Sequence, residues 1–399
     1  MALPQPNPRS EALVSSPLPP RDPAMLLARQ AAGELRVCSV ASFRQHVEAA
    51  GLAAAYAATD VLVAANAEFS DQASLHLSLG PTEPPIRLRD PHLDGVAALA
   101  AGGGSDLVLP IGSGAGEGQR LGGAQVLGRL LKGASVALSA TGDTTVLHPR
   151  RELHLALTLD RIGTGRLLLH RGIVENGIVA VSSAEGVLRS PYGPLLGPFS
   201  NALYTCSGAD SIGLAMPGLS LLGPGSPVLV GGAIGWVIGC GSGHQPGPRR
   251  LASGHARTPG AVAAISVDLH ELRPEWVRPC VFEGHGTALL VAIAAPIPLL
   301  NGAIALGAAA GNGSLEAPVL DVSIPRRIKP SFGGLPYSAL HSGRAVVDGH
   351  RLSTAPAHSP RLAASIGAEL IAQLQDGRFP LRPPLQALSV RSALIPLDA

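Results

Sequence analysis

The sequence predicts an α+β fold of Gly-rich mixed β-sheets, with helices mainly at the N- and C-terminal ends and one in the middle. Three observations carry that expectation. Period-two or continuous apolar runs crowd residues 135–297, whereas helical periodicity is confined to residues 24–58, 119–132 and 360–375. Aromatic residues make up only 3% of the chain against 49 Gly and 36 Pro, so the core must be built from Ala, Val, Leu and Ile between many tight turns. A hydrophobic fraction of 46% against 15% charged, over 399 residues, suits one large core or two smaller ones.

Taken in chain order, PQPNPRSEALVSSPLPPRDP opens the chain without a basic head and apolar run, so residues 1–23 are expected to be a disordered Pro-rich arm. A domain over 24–380 and an extended tail over 381–399 complete the organisation. Met25, Leu26, Leu27 and Ala31 have helical spacing within 24–34, and a second helix is expected from Phe43 through Ala58, where Ser42 and Gln45 have capping-box spacing. VLVAAN at 61–66 and LHLSL at 75–79 read as strands, joined through a polar loop with Glu68, Asp71 and Gln72. A strand at Leu107–Pro110 enters GSGAGEG at 112–118 and then a helix ending at Lys132. SVALSAT, ELHLALTL, RLLLHRGIV, IVAVSSA, PVLVGGAIGWVIG, AVAAISVDL and ALLVAIAAPI follow as strands. A long helix over Pro360–Gln375 precedes the extended FPLRPPL.

Composition excludes several classes of function. Net charge is +2 and the basic residues are dispersed, so nucleic acid is not an expected partner. The two lysines, Lys132 and Lys329, sit at a helix end and before Pro330; neither suits a Schiff base, and no Walker run exists. The Gly-rich loop spells G-x-G-x-G-x-G with Glu117 where a dinucleotide fingerprint needs its third Gly, so a loop closing over another anion is as good a reading. Cys38, Cys206, Cys240 and Cys280 form no C-x-x-C pair, which argues against a disulfide framework and for a reducing, cytoplasmic compartment. Cys240, His244 and His255 fit zinc poorly, and no metal is expected. Prolines at 217, 224, 227, 296 and 298 interrupt the uncharged stretches Ser211–Gly247 and Gly286–Leu315, which therefore read as buried strands and turns rather than membrane spans.

GQRLGGAQVLGRLLKG, ATGDTTVLHPRRELHLALTLDRI and NGIVAVSSAEGVLRSPYGPLLGPFSNALYTCSGAD occur in that order between Gly118 and Asp210. Together with GSPVLVGGAIGWVIGCGSGHQP, RTPGAVAAISVDLHELRPEW, APIPLLN and GRAVVDGHRLSTAPAHSPRLAASIGAELIAQL, this order resembles the homocysteine biosynthesis enzyme family, proteins proposed to put sulfide sulfur onto aspartate semialdehyde. The resemblance covers most of residues 25–380. HPRRE at 148–152 resembles the family's Pro-Arg-Lys-Glu element, and Asn201 and Tyr204 match its Asn-Ala-x-Tyr element. Members thought competent carry a cysteine before P-P-I-[KR] and another before Pro-Arg-Lys-Glu. Here the loop before Pro84–Arg87 holds Asp71 and Gln72, and Thr144, Thr145, Val146 and Leu147 precede HPRRE.

The resemblance implies an enzyme that forms homocysteine from aspartate semialdehyde and sulfide. The matched elements would give Arg150 and Arg151 for the substrate carboxylate and Asn201 and Tyr204 for its other polar groups and as acid; the residues' own chemistry adds Asp143 and His244 as polar contacts, His148 as acid or base, and Cys206 as sulfur carrier in place of the two absent cysteines. His285, in EGHG, has standing similar to His244. No cofactor motif is present, so the electrons would come from an external, ferredoxin-like donor, and a homo-oligomer is expected. A non-redox metabolite-binding or regulatory protein on the same scaffold is the alternative.

Overall fold

The computed structural model describes residues 18–102, 104–114, 120–395 and 397. The fold is α+β, with two large sheets, two small ones, and helices laid against their faces and ends. The largest sheet runs in the order Val37–Ser39, Val61–Ser70, Gly286–Pro298, Pro227–Val230, Ala233–Cys240, Val262–Asp268, Thr164–Val174, Ala73–Ser78, Leu107–Pro110 and Leu99–Ala100, with Val277–Phe282 paired to the long strand Gly286–Pro298.

That order dictates a curled sheet. Val61–Ser70 and Ala73–Ser78 are consecutive in the chain, yet five strands lie between them. Laid flat, they would stand about 29 Å apart at about 4.8 Å per strand, whereas the link from Ser70 to Ala73 spans at most about 11 Å. The sheet therefore wraps round until its two halves meet at Asp71–Gln72, and the ladder between Thr164–Val174 and Ala73–Ser78 runs up to that crossing, its last rung the His170 amide on the Gln72 carbonyl at 3.0 Å. Leu62, Leu75, Leu109, Leu167, Val230 and Ile265 fill the inside of the curl, each no more than 2% exposed.

The second sheet is mixed, in the order Ser331–Pro336, Glu316–Asp321, Val179–Val181, Asn201–Tyr204, His350–Pro356 and Arg344–Val347. Val179–Val181 pairs in parallel with Glu316–Asp321, and Asn201–Tyr204 in parallel with His350–Pro356. A hairpin, Gly186–Ser190 with Gly193–Gly197, and a four-stranded sheet of Val96–Ala97, Leu88–Leu93, Val136–Gly142 and Glu152–Leu157 complete the β-structure. The terminal helix Pro360–Gln375 starts from Ser359, whose hydroxyl accepts from the Leu362 amide at 3.3 Å, with proline in its first turn. Leu362, Ile366, Leu370 and Leu374, spaced by four, are buried as one stripe and pack with Val63 and Ala294 in the second core cluster. Each such side chain contributes about 1.5–3 kcal/mol on burial.

Several elements differ from expectation. The helix expected over 43–58 is two: Val40–Ala50, capped by Ser39 rather than Ser42, and Leu52–Ala58, separated at Gly51 with φ 85°. The helix after the Gly-rich loop is Gly123–Leu131, and residues 115–119 of that loop lie outside the described residues. Helices also appear late in the middle of the chain, at Gly302–Ala308 and Tyr337–His341. Part of the expected arm is packed: Leu18 rests on the core, the Tyr56 hydroxyl donates to the Pro19 carbonyl at 2.7 Å, and Arg21 pairs with buried Asp60 at 3.5 Å. Residues 1–17 lie outside the described residues. The tail from Leu381 is irregular and docked, with the Leu385 amide on the Pro224 carbonyl and the Ala393 amide on the His244 carbonyl, both at 2.9 Å. Among the described residues no helix is long and apolar enough to cross a membrane.

Candidate functional site

Where the curled sheet meets the second sheet, a cavity of about 370 Å³ opens beside the Asp71–Gln72 crossing, a size in the range used for small-molecule ligands. Five segments supply its polar wall. Strand Val61–Ser70 brings Asn66 and Glu68, the crossing brings Asp71, the hairpin tip brings Tyr192, and the turn after Phe282 brings His285. Arg171 comes from strand Thr164–Val174 by a special route. The register of that strand against Val262–Asp268 shifts between Leu169 and Ile173, and such a bulge re-aims the residues within it. Gly172 allows the bulge to lie flat, since a Cβ there would stand 2.6 Å from Ile265 Cδ1.

The charges in this cavity are unusual. Burial pushes the Glu68 carboxyl up to about 7, although the Asn66 amide donates to Glu68 Oε1 at 2.7 Å and Arg171 lies nearby, both of which favour the carboxylate. Near neutral pH this acid is therefore partly protonated. Desolvation also lowers the Arg171 pKa, against the pull of Glu68 and Tyr192, and among the described residues no carboxylate stands within ion-pair distance of its guanidinium. The Tyr192 phenol is raised by burial and stays protonated. At the mouth, His285 Nε2 lies 3.5 Å from Asp71 Oδ2, with the imidazole about one-third exposed. Asn66 is tied down from behind, its Oδ1 accepting from the Ile212 amide at 2.8 Å.

Asn176 closes the inner wall and has no free valence for a ligand. Its Nδ2 donates to the Ala256 and Glu316 carbonyls at 2.7 and 2.9 Å, while its Oδ1 accepts from the Tyr337 hydroxyl and the Gly177 amide at 2.7 and 2.8 Å. Thr205 Oγ1 accepts from the Ile178 amide at 3.1 Å on the same wall.

The residues singled out in the sequence do not form one cluster. His148 occupies a turn where Thr145 Oγ1 accepts from its amide at 3.0 Å, and Asp143 pairs with Arg89 at 3.4 Å across solvent. Arg150 Nε donates to the Glu152 carbonyl at 3.0 Å, and Arg151 is exposed. All four belong to the rim of the four-stranded sheet, and none lines the cavity. Asn201 braces the hairpin, accepting from the Leu196 amide at 2.6 Å and donating to the Pro194 carbonyl at 3.1 Å. Tyr204 is buried against the rings of His341 and His358 at 5.7 and 5.4 Å between centroids. His244 is fully buried; its Nε2–H donates to the Ser389 carbonyl at 2.8 Å and its Nδ1 accepts from the Val262 amide at 3.0 Å, which fastens the tail.

Cys206 comes nearest to the expectation. It lies directly behind Gly177 and Thr205 of the cavity wall, 3% exposed, among Val179, Ala209 and Leu315. Burial and then Glu68 push its thiol up, against hydrogen bonds from Ser211, Tyr337 and the Gly208 amide, so it is a protonated thiol out of reach of solvent. Among the described residues no cysteine lines the cavity, and no group of three or more His, Cys, Asp or Glu side chains can hold a metal ion.

Glu68, Asp71 and His285 were visible as polar interruptions in the sequence; Arg171 and Tyr192 were missed. The signal for Arg171 was the His-Arg-Gly break in an apolar strand, and for Tyr192 the Pro-Tyr-Gly turn.

The family model for the homocysteine biosynthesis enzyme, sulfur-incorporation, matches residues 35–381. The chain is 28% identical over 362 residues to the L-aspartate semialdehyde sulfurtransferase of Methanosarcina acetivorans, covering 90% of this chain and 70% of that protein. It is 26% identical over 376 residues to the protein of the same name from Methanocaldococcus jannaschii, covering 89% and 71%. No solved structure matches the chain. A match that spans both large sheets and the cavity between them leaves one conclusion: the chain belongs to the homocysteine biosynthesis enzyme, sulfur-incorporation family.

Proposed function

We propose that this chain forms homocysteine from aspartate semialdehyde and sulfide, with the chemistry in the Glu68–Arg171 cavity. One arrangement carries the assignment to this cavity: Glu68 and Arg171 line it together, and among the described residues the Arg171 guanidinium has no carboxylate within ion-pair distance, donating instead to the Ser242 carbonyl at 3.4 Å. The substrate brings the missing carboxylate, which Arg171 binds as a charge-assisted pair. Its aldehyde then points at Glu68, whose proton neutralises the alkoxide as sulfur adds to the carbonyl carbon. Loss of water gives a thioaldehyde, and two electrons with two protons reduce it to the thiol. The Tyr192 phenol and the Asn66 amide hold the polar ends in place.

Sulfur enters as free sulfide in this scheme, because the wall offers no thiol and Cys206 sits behind it. The electrons come from an external low-potential iron–sulfur carrier, since the chain offers no cluster-binding cysteine pattern. The test is mass spectrometry for homocysteine after incubating the protein with aspartate semialdehyde, sulfide and a low-potential reductant. Product from the native protein and none from Glu68→Gln is the expected result. Absence of product under conditions where a relative forms it overturns the proposal.

A further inference from the structure

The cavity has a second acid–base group that the scheme above leaves idle. Glu68 sits inside it, and Asp71 and His285 sit at its mouth, where a nucleophile arriving from solvent must pass. Strand Val61–Ser70 carries Glu68, and the bend that follows it carries Asp71, so the acid and the Asp71–His285 pair line the same cavity from different elements. A site that must protonate an oxygen and deprotonate a nucleophile needs its acid and base at opposite ends, in different surroundings.

We propose that His285, oriented by Asp71, is the general base that converts hydrogen sulfide to hydrosulfide inside the cavity. The inference rests on the sulfide reading above. The imidazole takes the proton from hydrogen sulfide, the sulfur lone pair forms the C–S bond, the carbonyl π-pair goes to oxygen, and Glu68 delivers its proton there. The product is the hydroxythiol; no oxidant or reductant takes part in this step, and the imidazolium proton leaves through the mouth. Asp71 is the positioning residue, its carboxylate facing one ring nitrogen at 3.5 Å so that the other can face the incoming sulfur. The other charged groups around the imidazole are few. Glu283, two residues away, is occupied by Arg189 at 2.8 Å on the neighbouring hairpin, and Arg171, Glu68 and Tyr192 face the cavity from the opposite strands and hairpin tip.

The geometry gives Asp71 a function that its sequence context did not show. A carboxylate at the sharp turn between two buried strands is poorly placed for packing and well placed for holding an imidazole over an opening. Neutral hydrogen sulfide also passes the apolar part of the lining, where the Phe69 and Phe282 rings lie 5.0 Å apart, more readily than its anion does.

The experiment is the pH dependence of homocysteine formation by His285→Gln and Asp71→Asn, with melting temperature measured alongside. Because His285 is about one-third exposed in a turn, its replacement should leave the melting temperature within a few degrees of the native value. His285→Gln should lose about a hundredfold in kcat/KM at acidic pH, the usual contribution of a general base. The deficit should shrink as rising pH makes free hydrosulfide abundant, and added imidazole should restore part of the rate to His285→Ala. A deficit constant across pH and untouched by imidazole means a structural role and overturns the inference, as does full activity in both variants. Native protein that makes no homocysteine takes the functional reading down as well, whereas an active native protein with a pH-independent variant sinks only the role of His285.

Discussion

Replacing Glu68 by Gln should make the protein more stable above neutral pH while abolishing activity. The unfolded chain holds this carboxyl near 4.5 and the folded protein near 7, so between those values the folded state carries more bound proton than the unfolded one. Stability contributed by this residue therefore falls as pH rises from about 4.5, and the loss is complete above about 7. At 1.36 kcal/mol per pH unit, the ionised folded protein stands about 3 kcal/mol worse off than the protonated one. Gln is isosteric with the protonated acid, still accepts from Asn66 and cannot ionise, so it escapes that loss. The assay is urea unfolding of both proteins at pH values from about 4.5 to 8.5, with equal slopes required for comparison. Other titrating groups, such as His358 held down to about 4 by burial, act alike in both proteins and cancel in the difference. The difference should be small at acidic pH, grow to about 3 kcal/mol through neutrality, and then level off. Parallel stability curves would refute the claim that this carboxyl is desolvated, and with it the reason for choosing Glu68 as the acid.

Three further outcomes separate the cavity from the other candidate residues. Arg171→Met should raise KM for aspartate semialdehyde by roughly tenfold to a hundredfold, the value of about 1.5–3 kcal/mol for a hydrogen-bonded charge. It should leave an uncharged aldehyde of similar length almost unaffected, and equal losses for both would refute carboxylate recognition. Cys206→Ser should keep most of the homocysteine-forming activity with free sulfide, measured by mass spectrometry; complete loss would restore a sulfur-carrier role to that thiol. His244→Ala should cost about 2–4 kcal/mol in unfolding, because it opens a cavity and strips a partner from the docked tail at Ser389. Its KM for the aldehyde should not move, and a shift would place the tail in the site.

Much of the fold was legible in the sequence because its signals are local. Ser359 before Pro360 and the apolar spacing from Leu362 to Leu374 mark the last helix at both levels, and the apolar runs at 166–174, 227–239, 261–269 and 288–297 are all strands. The break at Gly51 was not, because Ala-rich sequence on both sides continues the helical signal, and a cap at Ser39 competes with one at Ser42 on nearly equal terms. The family blocks were legible as a sequence of letters. Their placement was not: HPRRE looks chemically rich, yet strand Glu152–Leu157 forms an edge of a small sheet and leaves Arg150 and His148 at its rim. Arg171 was hidden for the opposite reason, since a charged residue in an apolar strand reads as a solvent-facing position until a register shift turns it inward.

The location of the cavity follows from the same sheet order that forces the curl. Within a continuous sheet each strand satisfies its neighbour's amides, and a charged side chain pointing inward would displace packed leucine. At the seam the two consecutive strands Val61–Ser70 and Ala73–Ser78 turn away from each other, so packing is interrupted there and polar groups can be held out of water without crowding the core. The second sheet covers the seam, and its approach depends on Gly177, where any side chain would collide with Cys206. Cys206 then has a reason to be small and apolar: it fills the space between that glycine and Tyr337, whose hydroxyl fixes Asn176 in the wall. The thiol's packing and the acid's raised pKa are thus two results of one closure. A variant that loosens the wall, such as Gly177→Ala, should lower the Glu68 pKa toward its ordinary value by admitting water, and a carboxyl titration that stays near 7 in that variant would show that the second sheet is not what dries the site.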